Sequence, residues 1–251
     1  MRDDLQHAQA SVDWAESNFP LLKKKLDAWL RDNVHVAIRE LPANVPNDVV
    51  VVAEKEPFPL AFQVEAGVYL NAIRSSLDIL ACILANRHCQ ALIGNAYFPV
   101  APSKTIFLSG KGYKGDKFIN ALPAKERGII ESLNPYRGQD GNHLLSALHD
   151  LDIVRKHQRL LSAEVSPRTF VVSGWGQAVD AFIPVSVGWV RTGIDETTIG
   201  LLSKSAAQQP QIKLTPQVSL CETTYLPRRE VITALYEFTR FAKAIIRDFD
   251  F

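Results

Sequence analysis

Along residues 3–33, Leu5, Ala8, Val12, Ala15, Phe19, Leu22, Leu26 and Leu30 recur at steps of three and four, the period of one helix face. Pro20 falls inside this run, where a missing N–H is expected to kink or divide the helix. A second helix is predicted over roughly 60–88, with Ala66, Leu70, Ile73, Leu77, Leu80 and Leu84 on one face. A third runs over about 143–160, and a fourth over 226–251, with Pro227 near its first turn. A shorter helix, 117–133, straddles Pro123.

Two stretches change period. "HVAIREL" (35–41) and "DVVVVAEK" (48–55) read as strands joined by the turn-rich PANVPN, which predicts a hairpin. After residue 160 come short β-branched runs: "LSAEV", "TFVVSG", "AVDAFIPVSVGWV", "TIGLLS", "QIKLT" and "QVSLCET". The fold class is therefore α+β: a bundle of about four main helices packed with an antiparallel sheet formed mostly by the second half. Residues 1–251 are expected to form a single α+β domain. Its parts are a mainly helical 1–159 carrying the 35–55 hairpin, a β-rich 160–225, and a 226–251 helix returning to the bundle. Phe170, Trp175, Phe182 and Trp189 are expected in the core of the β-rich part.

Composition narrows the class. With 28 Lys+Arg against 27 Asp+Glu the net charge is +1, so no strongly basic surface marks the chain as a whole. Cys82 and Cys89 lie about 10 Å apart along one helix, too far for a disulfide, and Cys221 leaves an odd count. Reduced thiols, a charged opening "MRDDLQHAQ" and a longest apolar run of only "LDILACILA" predict a cytoplasmic protein with no membrane partner.

The chemistry concentrates in two helices. In "AIRSSLDIL" (72–80), Arg74 and Asp78 are i,i+4 neighbours beside the apolar stripe. A half-buried Asp78 needs a cation, and an intrahelical pair with Arg74 supplies one. In "DIVRKHQRLL" (152–161), Arg155 occupies a position that the Leu144–Leu148–Leu151 pattern reserves for leucine. It is expected to pair with Asp78 across the two helices, in competition with the local Asp152. Lys156, His157 and Arg159 also suit the negative end of the helix dipole, and Lys156 and His157 are expected to point away from the leucine face.

Other motifs exclude chemistries. "GKGYKG" (110–115) spells GxGxxG but lacks a surrounding βαβ unit, so it reads as a basic loop; Lys111, Lys114 and Lys117 are positioned there to meet phosphates non-specifically. Six histidines and three cysteines form neither HExxH nor paired CxxC, so no metal site is expected. "SGWGQ" (173–177) lacks the serine of a nucleophile elbow. No cofactor is implied.

The ordered set "AIRSSLDILACILA", "YFPV", "SLNPY" and "LSALHDLDIVRKHQRLL" resembles an uncharacterised bacterial family. Its members carry LRSALDHL, FPI, QPY and DKHR segments before a β-rich half. By position, Arg74 and Asp78 match RSALD, Phe98-Pro99 match FPI, Pro135-Tyr136 match QPY, and Lys156-His157 match KH. Ile79 replaces the family's histidine, Arg155 its acidic residue, and Gln158 separates His157 from Arg159.

A looser similarity is to HEPN domains, helical bundles that often act as metal-independent ribonucleases. Their mark is an arginine, four to six residues, then a histidine. Here "RGQDGNH" has five residues between Arg137 and His143, but in a glycine-rich turn.

Two functions follow as expectations. The preferred one is a binding or regulatory module on a HEPN-like bundle, as a homodimer or with an RNA or protein partner. The alternative is a HEPN-type ribonuclease in a toxin or phage-defence setting. In that reading His157 and Arg159 are catalytic, and Arg74, Asp78, Arg155 and Lys156 are supporting residues.

Overall fold

The computed structural model describes residues 2–173, 181–184, 190–191, 196–205, 210–221, 225 and 228–251. Trp175, Trp189, Pro227 and most of "SGWGQ" lie outside them. The fold is α+β, with helices and two antiparallel sheets. The chain divides into two compact units, each assembled from separated segments. One comprises Met1–Leu22, Leu60–Ala163 and Leu220–Phe251; the other comprises Lys23–Pro59 and Glu164–Ser219.

The first unit is helical. Helix α1 (Gln6–Asn33) places its first half here and runs on through Pro20 undivided. The expected break does not occur: one lost hydrogen bond is outweighed by Phe19 and Leu22 on either side, both wholly buried. Helix α2 (Leu60–His88) buries Leu70, Ile73, Leu77, Leu80 and Leu84 completely. By length and composition α2 could cross a membrane, yet 56% of its most apolar window is buried inside the protein, as suits a core helix.

Next come short helices α3 (Lys104–Leu108), α4 (Asp116–Ala121) and α5 (Ala124–Ser132). The single helix expected over 117–133 is thus two, because Pro123 cannot continue α4 and instead stands as the N-cap of α5.

Helix α6 (His143–His157) opens at Asn142, whose side chain accepts the Leu145 N–H. It ends two residues before Arg159. Helix α7 (Val231–Arg247) starts later than the sequence suggests, because the Glu230 carboxylate accepts the N–H groups of Ile232 and Thr233. Helix α2 packs against α6 and α7, and α6 packs against α7. Lys243 ties α7 to Asp13 at 2.6 Å and to Glu16 on α1.

The second unit is a two-sheet sandwich. Strands β1 (Val34–Arg39) and β2 (Asn47–Glu54) form the expected hairpin. The hairpin is not an appendage, however: β2 also pairs with β6 (Glu196–Ser203), which in turn pairs with β4 (Phe182–Pro184) and β5 (Val190–Arg191). Strand β2 also buries four consecutive residues, Val50 to Ala53, and burial on both faces accounts for its unbroken valine run. Strands β3 (Ala163–Ser173) and β7 (Gln211–Leu220) are neighbours in the other sheet. Phe170, Val172, Ile212 and Leu214 pack against a core of Val50, Val52, Phe182, Ile199 and Leu202. The Phe170 and Phe182 rings meet edge to face at 5.5 Å.

Gly200 is where this core has no slack. A Cβ there would lie 2.3 Å from the Phe182 ring and 2.9 Å from the Ile183 carbonyl oxygen. Gly200→Ala is expected to lower stability by about 2 kcal/mol in urea denaturation, the cost of overpacking. An unchanged midpoint would show that the ring simply swings aside.

Candidate functional site

Within the helical unit, α2, α6, the segment 97–100 and the glycine loop enclose a cavity of about 360 Å³. Its polar lining comes from Arg74 and Asp78 on α2, from His149, Asp152, Lys156 and His157 on α6, and from Lys114 on the loop. Tyr97, Phe98, Val100 and Ile153 complete the wall.

Arg74 is almost wholly buried, at 4% exposure. Its Nη2 donates to the Phe98 carbonyl at 2.8 Å, while Asp78 Oδ1 accepts the Phe98 N–H at 3.0 Å. The i,i+4 pair therefore grips both backbone groups of one residue and fixes the 97–100 segment on α2. Arg74 Nη1 stands 3.0 Å from Asp78 Oδ1, but out of line for a hydrogen bond, and this buried N–H group has no acceptor. The intrahelical pair predicted from spacing is present; its grip on Phe98 has no sequence signal, because the partner is main chain.

On α6 the cavity-lining side chains recur at His149, Asp152, Ile153 and Lys156, a single helix face. Lys156 Nζ lies 2.6 Å from Asp152 Oδ2. Asp152 Oδ1 is buried with no hydrogen-bond donor, 3.6 Å from Arg155 Nε, which is likewise buried without an acceptor. The loop adds Lys114, whose ammonium sits 3.5 Å above the Tyr97 ring. Gly115 makes that approach possible: its φ is +97°, and a Cβ would be 2.6 Å from the Tyr97 carbonyl oxygen.

His149 registers the sign of this environment. Burial, and then the positive charges of Arg74, Arg137, Lys114 and Lys156, push its pKa down to about 3. The imidazole is thus neutral at ordinary pH, and it has no hydrogen-bond partner among the described residues.

The sequence-predicted residues separate. Arg74, Asp78, Lys156 and His157 line the cavity together. Arg155 and Arg159 do not. Arg155 reaches α2, but its interhelical partner is Asn71 Oδ1 at 2.8 Å and not Asp78. Its stem lies over Gly67, where a Cβ would come within 2.7 Å. The physical reason is rotational: position 155 lies about 100° from 156, so the cavity face and the arginine face of α6 meet different turns of α2. For the same reason Lys156 and His157, expected to point away, face the cavity. Arg159, beyond the helix end, donates to Ser162 Oγ at 2.7 Å. His149 is the contributor that the sequence does not single out; Lys114 comes from the basic loop read there as a non-specific phosphate contact.

Arg137 and His143 are not a functional pair either. Arg137 binds Asp150, while His143 begins α6 with its ring 5.3 Å from that of Tyr225. Tyr136 is buried, and its stretch bridges Ala101. Residues of the segments 72–80, 97–100 and 152–161 thus meet in the cavity, whereas Ile79 is not part of its lining.

Among the described residues no group of three or more His, Cys, Asp or Glu could hold a metal ion. No protein-family model matches the chain, and comparison with curated proteins and with solved structures found no match.

Proposed function

We propose that the chain is a binding module whose α2–α6 cavity takes a small anion. The observation that carries this reading is the buried guanidinium of Arg74 sharing the lining of one cavity with the ammonium groups of Lys114 and Lys156. Three permanent cations face two carboxylates there, and the neutral His149 adds a donor and an acceptor. An anion would meet these cations and offset the positive charge that, after burial, holds His149 unprotonated. Cys82, Cys89 and Cys221 form no disulfide, which supports a cytoplasmic setting.

The test is calorimetric titration with inorganic phosphate, together with NMR of the His149 ring. Saturable binding that shifts the His149 resonances is expected. Lys114→Ala and Lys156→Ala are each expected to weaken it about tenfold, the effect of a charge-assisted hydrogen bond, while Lys23→Ala on the exposed face of α1 leaves it unchanged. No saturable binding, or equal loss in all three variants, sinks the reading.

The ribonuclease alternative draws support from His157 beside Lys156 and Arg74. One feature weighs against it: Arg159 stands off the cavity. Purified protein that cleaves mixed RNA, and loses that cleavage with His157→Ala, would restore it.

A further inference from the structure

Resting on the anion reading, we infer that the cavity selects a dianion. Its ligand is a tetrahedral oxyanion with two charges, free or ending a phosphate monoester, in preference to the singly charged group of a phosphodiester. The balance of fixed charge carries this. With imidazoles counted as neutral, the lining holds Arg74, Lys114 and Lys156 against Asp78 and Asp152. Arg155, off the lining, stands 3.6 Å from Asp152 and adds a fourth cation. Four cations less two carboxylates leave two positive charges, in a chain whose net charge is only +1. The nearby Arg137 is matched by Asp150 and changes nothing.

Both carboxylates are engaged inside the protein. Asp78 accepts the Phe98 N–H and lies 3.0 Å from Arg74, while Asp152 lies 2.6 Å from Lys156. Arg74, which donates to the Phe98 carbonyl, acts on a ligand through its field. Lys114 is the cation left over: its ammonium meets the Tyr97 ring and, among the described residues, no carboxylate. Lys114 and Lys156 are both exposed, so theirs are the groups that touch the anion. Charges beside a protein wall are screened less than in open water, so the second charge of a dianion counts for more here than in solution. The volume, about 360 Å³, admits a phosphoryl group with a short carbon chain against Phe98, Val100 and Ile153. A diester offers one charge to a site that has two to meet.

Methyl phosphate and dimethyl phosphate provide the comparison: both are small and tetrahedral, and at pH 8 the first carries two charges and the second one. By calorimetry on the full chain at that pH and low salt, methyl phosphate is expected to bind at least tenfold tighter. In Lys114→Gln, which leaves one net positive charge, the preference is expected to fall below threefold. Lys111→Gln, on the same loop but off the lining, is expected to keep it. Inorganic phosphate separates the two sources of the dianion. Binding as tight as that of methyl phosphate makes the free ion sufficient, and weaker binding makes the carbon group part of recognition; the inference stands in both cases. Equal affinities of the two esters in the wild-type protein overturn it and leave the anion site standing. Full preference in Lys114→Gln, or equal loss in Lys111→Gln, overturns the assignment to the Lys114 charge. Saturable binding of neither ester removes the anion site and this inference with it. The wild-type comparison is decisive even if a variant fails to fold.

Discussion

Replacing Arg74 with methionine is expected to lower the stability of the helical unit by about 3 kcal/mol, among the largest effects of any polar substitution in the chain. Three costs coincide. The Phe98 carbonyl loses its donor, Asp78 keeps its charge beside a low-dielectric wall, and the guanidinium leaves a space that methionine fills poorly. Asp78 is 29% exposed, so water screens part of the charge penalty, and the figure sits at the low end for a broken buried pair. Arg74→Lys can reach Asp78 or Phe98 but not both, and is expected to cost about half as much. Urea denaturation followed by circular dichroism reads both. If Arg74→Met unfolds at the wild-type midpoint, the grip on Phe98 is ornamental.

The second large effect concerns acid. His149 is held neutral in the folded protein down to about pH 3, whereas in the unfolded chain it takes up a proton near its ordinary 6.5. Below pH 6.5 the unfolded chain therefore binds more protons, and stability falls as pH drops toward 3, by up to about 1.4 kcal/mol per pH unit. Between pH 7.5 and 5.0 the wild-type protein is expected to lose about 1–2 kcal/mol more than His149→Gln, whose side chain does not titrate. The measurement is urea denaturation of both proteins at the two pH values, in buffers free of phosphate and sulfate so that the cavity stays empty. Parallel losses would mean that the imidazole is better solvated, or less crowded by cations, than its surroundings indicate.

Much of the architecture is legible in the hydrophobic pattern, for a simple reason. Period-three-and-four leucines can be buried only as helix faces, and the β-branched runs after residue 160 only as strands. The pattern is weaker where two physical demands compete. Pro20 is absorbed between the buried Phe19 and Leu22, while Pro123 ends its helix although Ile119 and Leu122 before it are buried too. Nothing local distinguishes these cases; the difference is tertiary.

The site divides in the same way. Arg74 and Asp78 are readable because both members of the pair lie on one helix, four residues apart. The pairing of Arg155 with Asn71 is not readable, since it depends on the rotation of α6 against α2. His149 looks like any helical histidine until Arg74, Arg137 and Lys114 are brought round it by three other segments, beside Lys156 of its own helix. Lys114 belongs to a motif whose letters suggest a nucleotide loop. Its actual placement over Tyr97 follows from the positive φ of Gly115.

The division of the chain into interleaved segments has a consequence for synthesis. Strand β2 is made about 140 residues before β6, its neighbour on the side away from β1. At roughly 5–20 residues per second, the ribosome leaves that valine-rich edge without its partner for about 7–30 s. An open, apolar strand edge is a template for wrong pairing with another nascent chain. Yield in a fast-translating host should therefore depend on chaperone supply more than the finished protein's stability would suggest, and slower growth at low temperature should recover it.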